Sequence, residues 1–311
     1  MGAKNLTPTA TEFILVGLSN DRNTQILLFV IILLMYIFIL VGNLGVIVLV
    51  RLDSHLHTPM YFFLSHLSGV EISFVTTNVP QMLTHLLIGR AELSLIHCAL
   101  QMYMSLSLGS VEAILLGVMA YDRYLAICHP LVYTTAMRKW RQFQLASACW
   151  LACFIIAAIC VGITFQHPFC GSCCINHFVC EIPVVLKLAC DDTYITESVI
   201  VMFAAVVIVG PFSVILTSYG LILISVLQIR SVSGLRKAFS TCGSHLLAVI
   251  MFYGTTTLNY IIPQAGKSAD YDKQIAMFYL VVTPLLNPLI YTLRNKDVRE
   301  AVAKVLQRRG L

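Results

Sequence analysis

Between Arg22 and Arg51 the sequence carries no charged side chain. A bilayer core is crossed by ~20 apolar helical residues, and in lipid every backbone polar group must be satisfied within the protein. A stretch this long and this apolar therefore reads as a spanning helix. The rest of the chain repeats the pattern. Its 311 residues are 58% hydrophobic and 11% charged, against about 25% charged in soluble domains. One globular core cannot hide so much apolar surface. The pattern predicts spanning helices over residues 25–50, 59–86, 93–127, 142–163, 197–228, 238–262 and 274–293. The fold class expected is an all-α membrane protein, a seven-transmembrane helix bundle. Residues 1–311 form one domain in this reading, with an N-terminal segment 1–24, a bundle 25–293 and a tail 294–311. In the tail, Val298, Val302, Val305 and Leu306 stand at helical spacing among Lys and Arg, which predicts a short amphipathic C-terminal helix along the membrane face. Gly210–Pro211 predicts a kink in the fifth helix.

The net charge of +5 does not call for nucleic acid. Seven spans put the two ends on opposite sides. Arg51, Arg138, Lys139, Arg141, Arg230, Arg236, Lys237 and the basic tail then share one side, and basic loops stay in the cytoplasm. The N-terminus is expected outside and the C-terminus inside, with the basic excess against anionic lipid. The only N-glycosylation triplet, Asn5-Leu6-Thr7, falls on the outer side, as do six of the 11 cysteines, and that compartment permits disulfides. The first 22 residues lack the basic start, short apolar core and small-residue cleavage site of a signal peptide, so the first spanning helix is expected to direct insertion.

The most informative stretch is MAYDRYLAICHPLVY, residues 119–133, which ends the third helix with an acid and a base side by side. Charges near a bilayer pair up or face water. Around it stand TEFILVGLS at 11–19, GN at 42–43, LHTPMYFFLSHLS at 56–68, KAFSTCGSHL at 237–246, FYG at 252–254 and PLLNPLIYTLRNKDV at 284–298. Together, in this order, they resemble the odorant (olfactory) receptors of the class II tetrapod type, within the rhodopsin-like G-protein-coupled receptors. The resemblance covers nearly the whole chain. It implies a receptor and not an enzyme, in the plasma membrane, which binds a small odorant and activates a stimulatory olfactory-type heterotrimeric G protein to raise cAMP.

By that resemblance Asp122 and Arg123 form the G-protein switch, with Tyr219 on the fifth helix and the hinge residues Pro288 and Tyr291 on the seventh. It also implies disulfides Cys98–Cys180 and Cys170–Cys190, and places Glu71 at a sodium-binding position where relatives usually carry Asp. Glu71 and Glu112 are the only acids deep inside spans. With Asn43 they can share a sodium ion acting as an allosteric modulator, or be protonated and hydrogen-bonded with no metal; no other cofactor is expected. Cys173 and Cys174 depart from the family pattern. Cys170 and Cys173, spaced C-x-x-C near His167 and His177, leave a metal site as the alternative to the disulfide.

The odorant pocket is expected between helices, mostly apolar with a few polar groups. On the third helix Ser105, Leu106, Gly109 and Ser110 form one stripe. Phe203, Val206 and Val207 face it from the fifth helix, and Tyr253, Thr256 and Tyr260 form a stripe on the sixth, with Tyr253 as the floor. None of these is charged, so the ligand expected is neutral and mainly apolar, with one hydroxyl or carbonyl. A transporter would show inverted repeats, and no repeat relates the halves. An intramembrane enzyme would align a nucleophile and base, or metal ligands, and His66 and His245 have no obvious Asp partner.

Overall fold

The computed structural model describes residues 12–89, 91–170, 174–227, 232–260, 269–294 and 296–308. Seven long rods make up the bundle: α1 (Arg22–Leu52), α2 (Pro59–Ile88), α3 (Leu95–Cys128), α5 (Lys139–Thr164), α7 (Tyr194–Leu227), α8 (Val232–Tyr260) and a last rod built in three pieces. Those pieces are α9 (Ala269–Met277), a π-helical stretch Phe278–Val282, and α10 (Thr283–Arg294). Among the described residues, five of the rods are long and apolar enough to cross a membrane by length and composition alone. Short helices α4 (Pro130–Ala136) and α6 (Ile182–Leu186) lie in the connections, and α11 (Lys296–Arg308) follows α10. Sequence reading did not foresee α4, α6 or the π stretch.

Local chemistry sets the rod ends. Asp21 caps α1 by accepting from Thr24 N–H at 2.8 Å, and Ser94 caps α3 through His97 N–H at 3.2 Å. Pro59 and Pro130 stand at first turns, where a missing N–H costs nothing. The rods run one to six residues longer than predicted at several ends, because polar residues such as Arg22 and Lys139 continue a helix as well as apolar ones do.

The core lies along α2 and α3. Phe63, Leu64, Leu67, Val75 and Val79 pack against Leu108, Val111, Leu115 and Met119. Lipid-facing positions stay apolar, as with Leu27, Leu34 and Val41 on α1. The kink expected at Pro211 does not end α7, which continues through it. Proline removes one i→i−4 hydrogen bond, and α3 approaches there: a Cβ on Gly117 would come 3.0 Å from Pro211 Cβ. In α11, Val298 and Ala301 are buried against the bundle, and Lys304 Nζ lies 3.7 Å from Asp53 Oδ2. The amphipathic tail thus docks under the bundle; Val305 and Leu306 side chains lie outside the described residues.

A small sheet, also unforeseen, caps the other end. β1 (Glu12–Leu15) lies between β2 (Ala91–Ser94), antiparallel, and β3 (Cys174–Ile175), parallel. Phe13 pairs with Leu93, and Ile14 with Cys174. Phe13 and Leu15 turn inward into a second apolar cluster with Leu93, Phe169 and Ile175. After the strand, Gly17 adopts φ +81°, and a Cβ there would sit 2.7 Å from the His85 ring, so only glycine fits. Asn5 lies outside the described residues.

Candidate functional site

Below the sheet, a cavity of about 140 Å³ opens among α2, α3, α5, α7, α8 and the last rod. Ser105, Leu106, Gly109 and Ser110 all line it, as do Phe203, Val207 and Thr256. Val206 does not: it is 62% exposed on the outer face of α7. The inner face of α7 is Ile200, Phe203, Ala204, Val207 and Ile208. At 3.6 residues per turn, Val206 points roughly 120° away from the centre of that face. Tyr253 is buried behind the wall. Its hydroxyl donates to the Ala113 carbonyl at 3.0 Å, and its ring lies 5.2 Å from that of Phe212. The Tyr260 side chain lies outside the described residues.

Sequence reading missed four parts of the lining, the first being Ile156 and Cys160 of α5. Asn78 and Phe74 come from α2, and Tyr279, Leu280 and Thr283 from the last rod. Asn78, polar in an apolar run, was a readable signal. The roof is the fourth part: Val179, Cys180, Glu181 and Ile182. Two disulfides place it. Cys98 at the top of α3 is bonded to Cys180, and Cys170 to Cys190. The Cys170 sulfur is thereby removed from any metal site. Cys174 is exposed in β3, and Cys173 lies outside the described residues. His167 joins the loop to α7 by hydrogen bonds of 2.8 Å to Asp191 and to Thr196. Gln101 accepts from Cys180 N–H at 3.1 Å.

His177 is buried in the same loop, stacked on Phe178. Burial pushes its pKa down to about 4, with Lys273 adding to the effect. A histidine held neutral when folded but free to protonate when unfolded loses stability as pH falls. The loss begins near the ordinary value of 6.5 and is complete near 4. Melting temperatures of the purified protein are expected to drop between pH 7 and pH 4.5, corresponding to roughly 2–3 kcal/mol. His177→Gln should flatten the slope; an equal slope in both proteins would place the titration elsewhere.

The expectation of a charge-free lining is corrected by the structure. Glu112 is 5% exposed and lines the cavity floor, and Glu181 lines its roof. Behind Glu112 lies Glu71, 1% exposed. Asn287 of α10 donates Nδ2–H to Glu71 Oε1. Asn43 and Glu112 are the other polar neighbours of Glu71, while Asn43 Nδ2 donates to Ile39 O at 3.2 Å. Glu71 Oε2 and Asn287 Oδ1 are buried with no hydrogen-bond partner among the described residues.

At the far end, Asp122 is 1% exposed and accepts from the Tyr133 hydroxyl of α4 at 3.0 Å. Arg123 adds an attractive charge beside Asp122, and its Nε is buried with no hydrogen-bond partner among the described residues. Tyr219 of α7 meets His245 of α8, with its hydroxyl 2.7 Å from Nδ1. Cys128 of α3 donates to Ser225 Oγ of α7 at 3.2 Å. Pro288 lies in α10 against Gly42, whose Cβ would stand 3.1 Å from the ring. The Tyr291 side chain lies outside the described residues.

The chain matches the olfactory receptor family over residues 32–309. It is 44% identical to olfactory receptor-like protein OLF3 of Canis lupus familiaris, over 98% of this chain and 96% of that protein. It is 47% identical to olfactory receptor 2C1 of Mus musculus, over 95% of each. To olfactory receptor 5F1 of Homo sapiens it is 44% identical, over 99% of this chain and 98% of that protein. Among solved structures, squid rhodopsin superposes with a TM-score of 0.74 at 19% identity, covering 92% of this chain and 83% of that one.

Proposed function

Because this chain belongs to the olfactory receptor family, which comprises receptors and not enzymes, we propose that it binds a small, neutral, largely apolar odorant in the cavity beneath the disulfide-tied roof. The observation that carries this reading is the cavity itself, with apolar walls from five helices and the last rod and a few polar groups. An engineered cavity of ~150 Å³ takes a benzene-sized guest, so about 140 Å³ suits a volatile molecule. Occupancy would favour the arrangement in which α8 moves away from α3 and Arg123 becomes available to a G protein of the stimulatory olfactory type, raising cAMP. The chain would sit in the plasma membrane with the sheet outside and α11 against cytoplasmic lipid, as the basic loops suggest.

Phe203→Ala tests the pocket. It removes a large wall from the cavity, and potency for odorants that raise cAMP should shift by about tenfold or more at equal surface level, read with an N-terminal tag. Unchanged potency for every active odorant would move the site elsewhere.

The buried oxygens near Glu71 fit a sodium ion. Glu71 Oε2 and Asn287 Oδ1, both without hydrogen-bond partners among the described residues, are hard oxygen donors, with Asn43 and Glu112 beside Glu71. A bound cation would neutralise the Glu71 carboxylate at low dielectric. Replacing sodium by N-methylglucamine is expected to lower the melting temperature of the purified protein, and Glu71→Gln should remove that dependence. A dependence that persists in the variant would exclude this site.

A further inference from the structure

Two glycines interrupt α3, and packing explains only one of them. Gly117 lets α7 come close: a Cβ there would stand 3.0 Å from Pro211 Cβ. Gly109 has no such neighbour. A Cβ there would meet no atom of another helix within 4 Å. Its backbone is ordinary helix, since the positive φ values among the described glycines belong to Gly17 and Gly89. Glycine weakens a helix interior relative to alanine, because it has more backbone freedom to lose. Gly109 carries that cost with neither a close approach nor an unusual backbone to require it. What it does face is the cavity. At about 100° per residue, Ser105 and Glu112 lie roughly 40° and 60° to one side of it, and Ala113 and Leu106 roughly 40° and 60° to the other. All four line the cavity. Position 109 is thus the middle of the α3 wall, and a side chain there would enter the cavity. Among the described residues it is the one glycine in the lining.

We propose that Gly109 is a specificity-determining residue: its missing side chain makes the berth for the ring of a compact, ring-bearing odorant, and the cavity prefers such molecules to open-chain ones of the same headgroup and carbon number. This rests on the odorant-receptor reading above and names the ligand class of that site. The other walls suit a ring. Phe74, Phe203, Phe252 and Tyr279 bring aromatic side chains from α2, α7, α8 and the last rod, and ring edges and faces attract one another beyond the area they bury. A ring lying on the α3 backbone at Gly109 comes closer to the helix axis than it could over any other residue type. It also enters already stiff, whereas an open chain must give up rotamers to fit a cavity of about 140 Å³. A methyl group at position 109 would occupy the place of the ring and leave room for a thinner chain beside it.

Three seven-carbon alcohols that share a primary hydroxyl test the assignment: benzyl alcohol, cyclohexylmethanol and 1-heptanol. Binding is measured on the purified full chain in nanodiscs by the ligand-dependent rise of its melting temperature, which needs no G protein and yields an apparent Kd. The wild-type chain should bind both ring-bearing alcohols several-fold more tightly than 1-heptanol. Gly109→Ala should weaken both by about tenfold or more, the scale of one methylene in an apolar pocket, and weaken 1-heptanol by less than about threefold. Without ligand, Gly109→Ala should melt no lower than wild type, because its methyl group enters open space and favours the helix. A lower melting temperature would show position 109 to be packed and would overturn the assignment. Unchanged binding of the ring-bearing alcohols by Gly109→Ala would overturn the role of Gly109, and an equal loss for all three probes would overturn the ring as what the berth holds. Wild-type binding of 1-heptanol as tight as that of the ring-bearing alcohols would overturn the ligand class by itself, whether or not the variant folds. Failure of all three to bind would also overturn this ligand class, and a cAMP response to other volatiles would then show the receptor reading still standing. Ring-selective binding with no cAMP response would leave the inference intact and overturn the coupling.

Discussion

Cys98→Ser is expected to reduce the folded receptor at the cell surface several-fold, and to lower the melting temperature of what remains. The Cys98–Cys180 bond spans 82 residues of sequence and ties the top of α3 to the roof. Cross-links of this length hold back the unfolded chain, and their removal typically costs about 2–5 kcal/mol, a large part of the net stability of an ordinary domain. The loss is local as well as global. Cys98 and Cys180 are both buried in the apolar cluster that contains Phe13, Leu93 and Ile175, so a serine there also leaves a hydroxyl without a partner. Cys170→Ser provides the contrast. Its bond to Cys190 spans 20 residues, and on loop entropy alone its removal should cost about 1 kcal/mol less. Surface staining and melting curves of both variants check the ranking. Equal losses would mean that the roof, rather than the loop length, sets the cost.

Arg123→Ala is expected to abolish odorant-evoked cAMP, by at least about tenfold in maximal response, while odorant-dependent thermal stabilisation survives. The separation follows from distance along the molecule: the cavity lies under the roof, and Arg123 lies at the far end of α3. In this structure Asp122 is held by the Tyr133 hydroxyl, while Arg123 Nε is buried without a hydrogen-bond partner among the described residues. An unpartnered buried donor is costly, so the arginine gains on any rearrangement that supplies an acceptor. Removing it deletes that gain without touching the cavity. Loss of odorant stabilisation together with signalling would show instead that the substitution unfolds the inner end.

The two ends of the molecule were unequally legible in the sequence. The rods were readable because apolar runs such as the one between Arg22 and Arg51 are bounded by charge. The cavity wall on α3 was readable because Ser105, Gly109 and Ser110 break an apolar face at helical spacing. The sheet was not. In Glu12–Leu15 both the inward Phe13 and the outward Ile14 are apolar, so the alternation that marks a half-buried strand is absent. Val206 was misplaced because α7 is apolar on every side, and its pattern does not say which side meets α3. The contribution of the last rod depended on a π-helical stretch, which places Tyr279, Leu280 and Thr283 toward the cavity. No sequence signal marked that change of register. Glu112 was identified as a buried acid but assigned only to the ion site, because its reach into the cavity depends on how α3 is rotated.

The central position of β1 in its sheet has a consequence for how the molecule is made. The strand precedes every helix among the described residues, yet one partner follows α2 and the other follows α5. Until both have emerged, β1 presents two unpaired edges, which invite association with other chains. Contacts between segments so distant in the chain form late, and Cys98 must likewise wait for Cys180. The cap therefore cannot close until synthesis has passed β3 and Cys180, and the nascent chain carries an open upper end while α1, α2, α3 and α5 are being made.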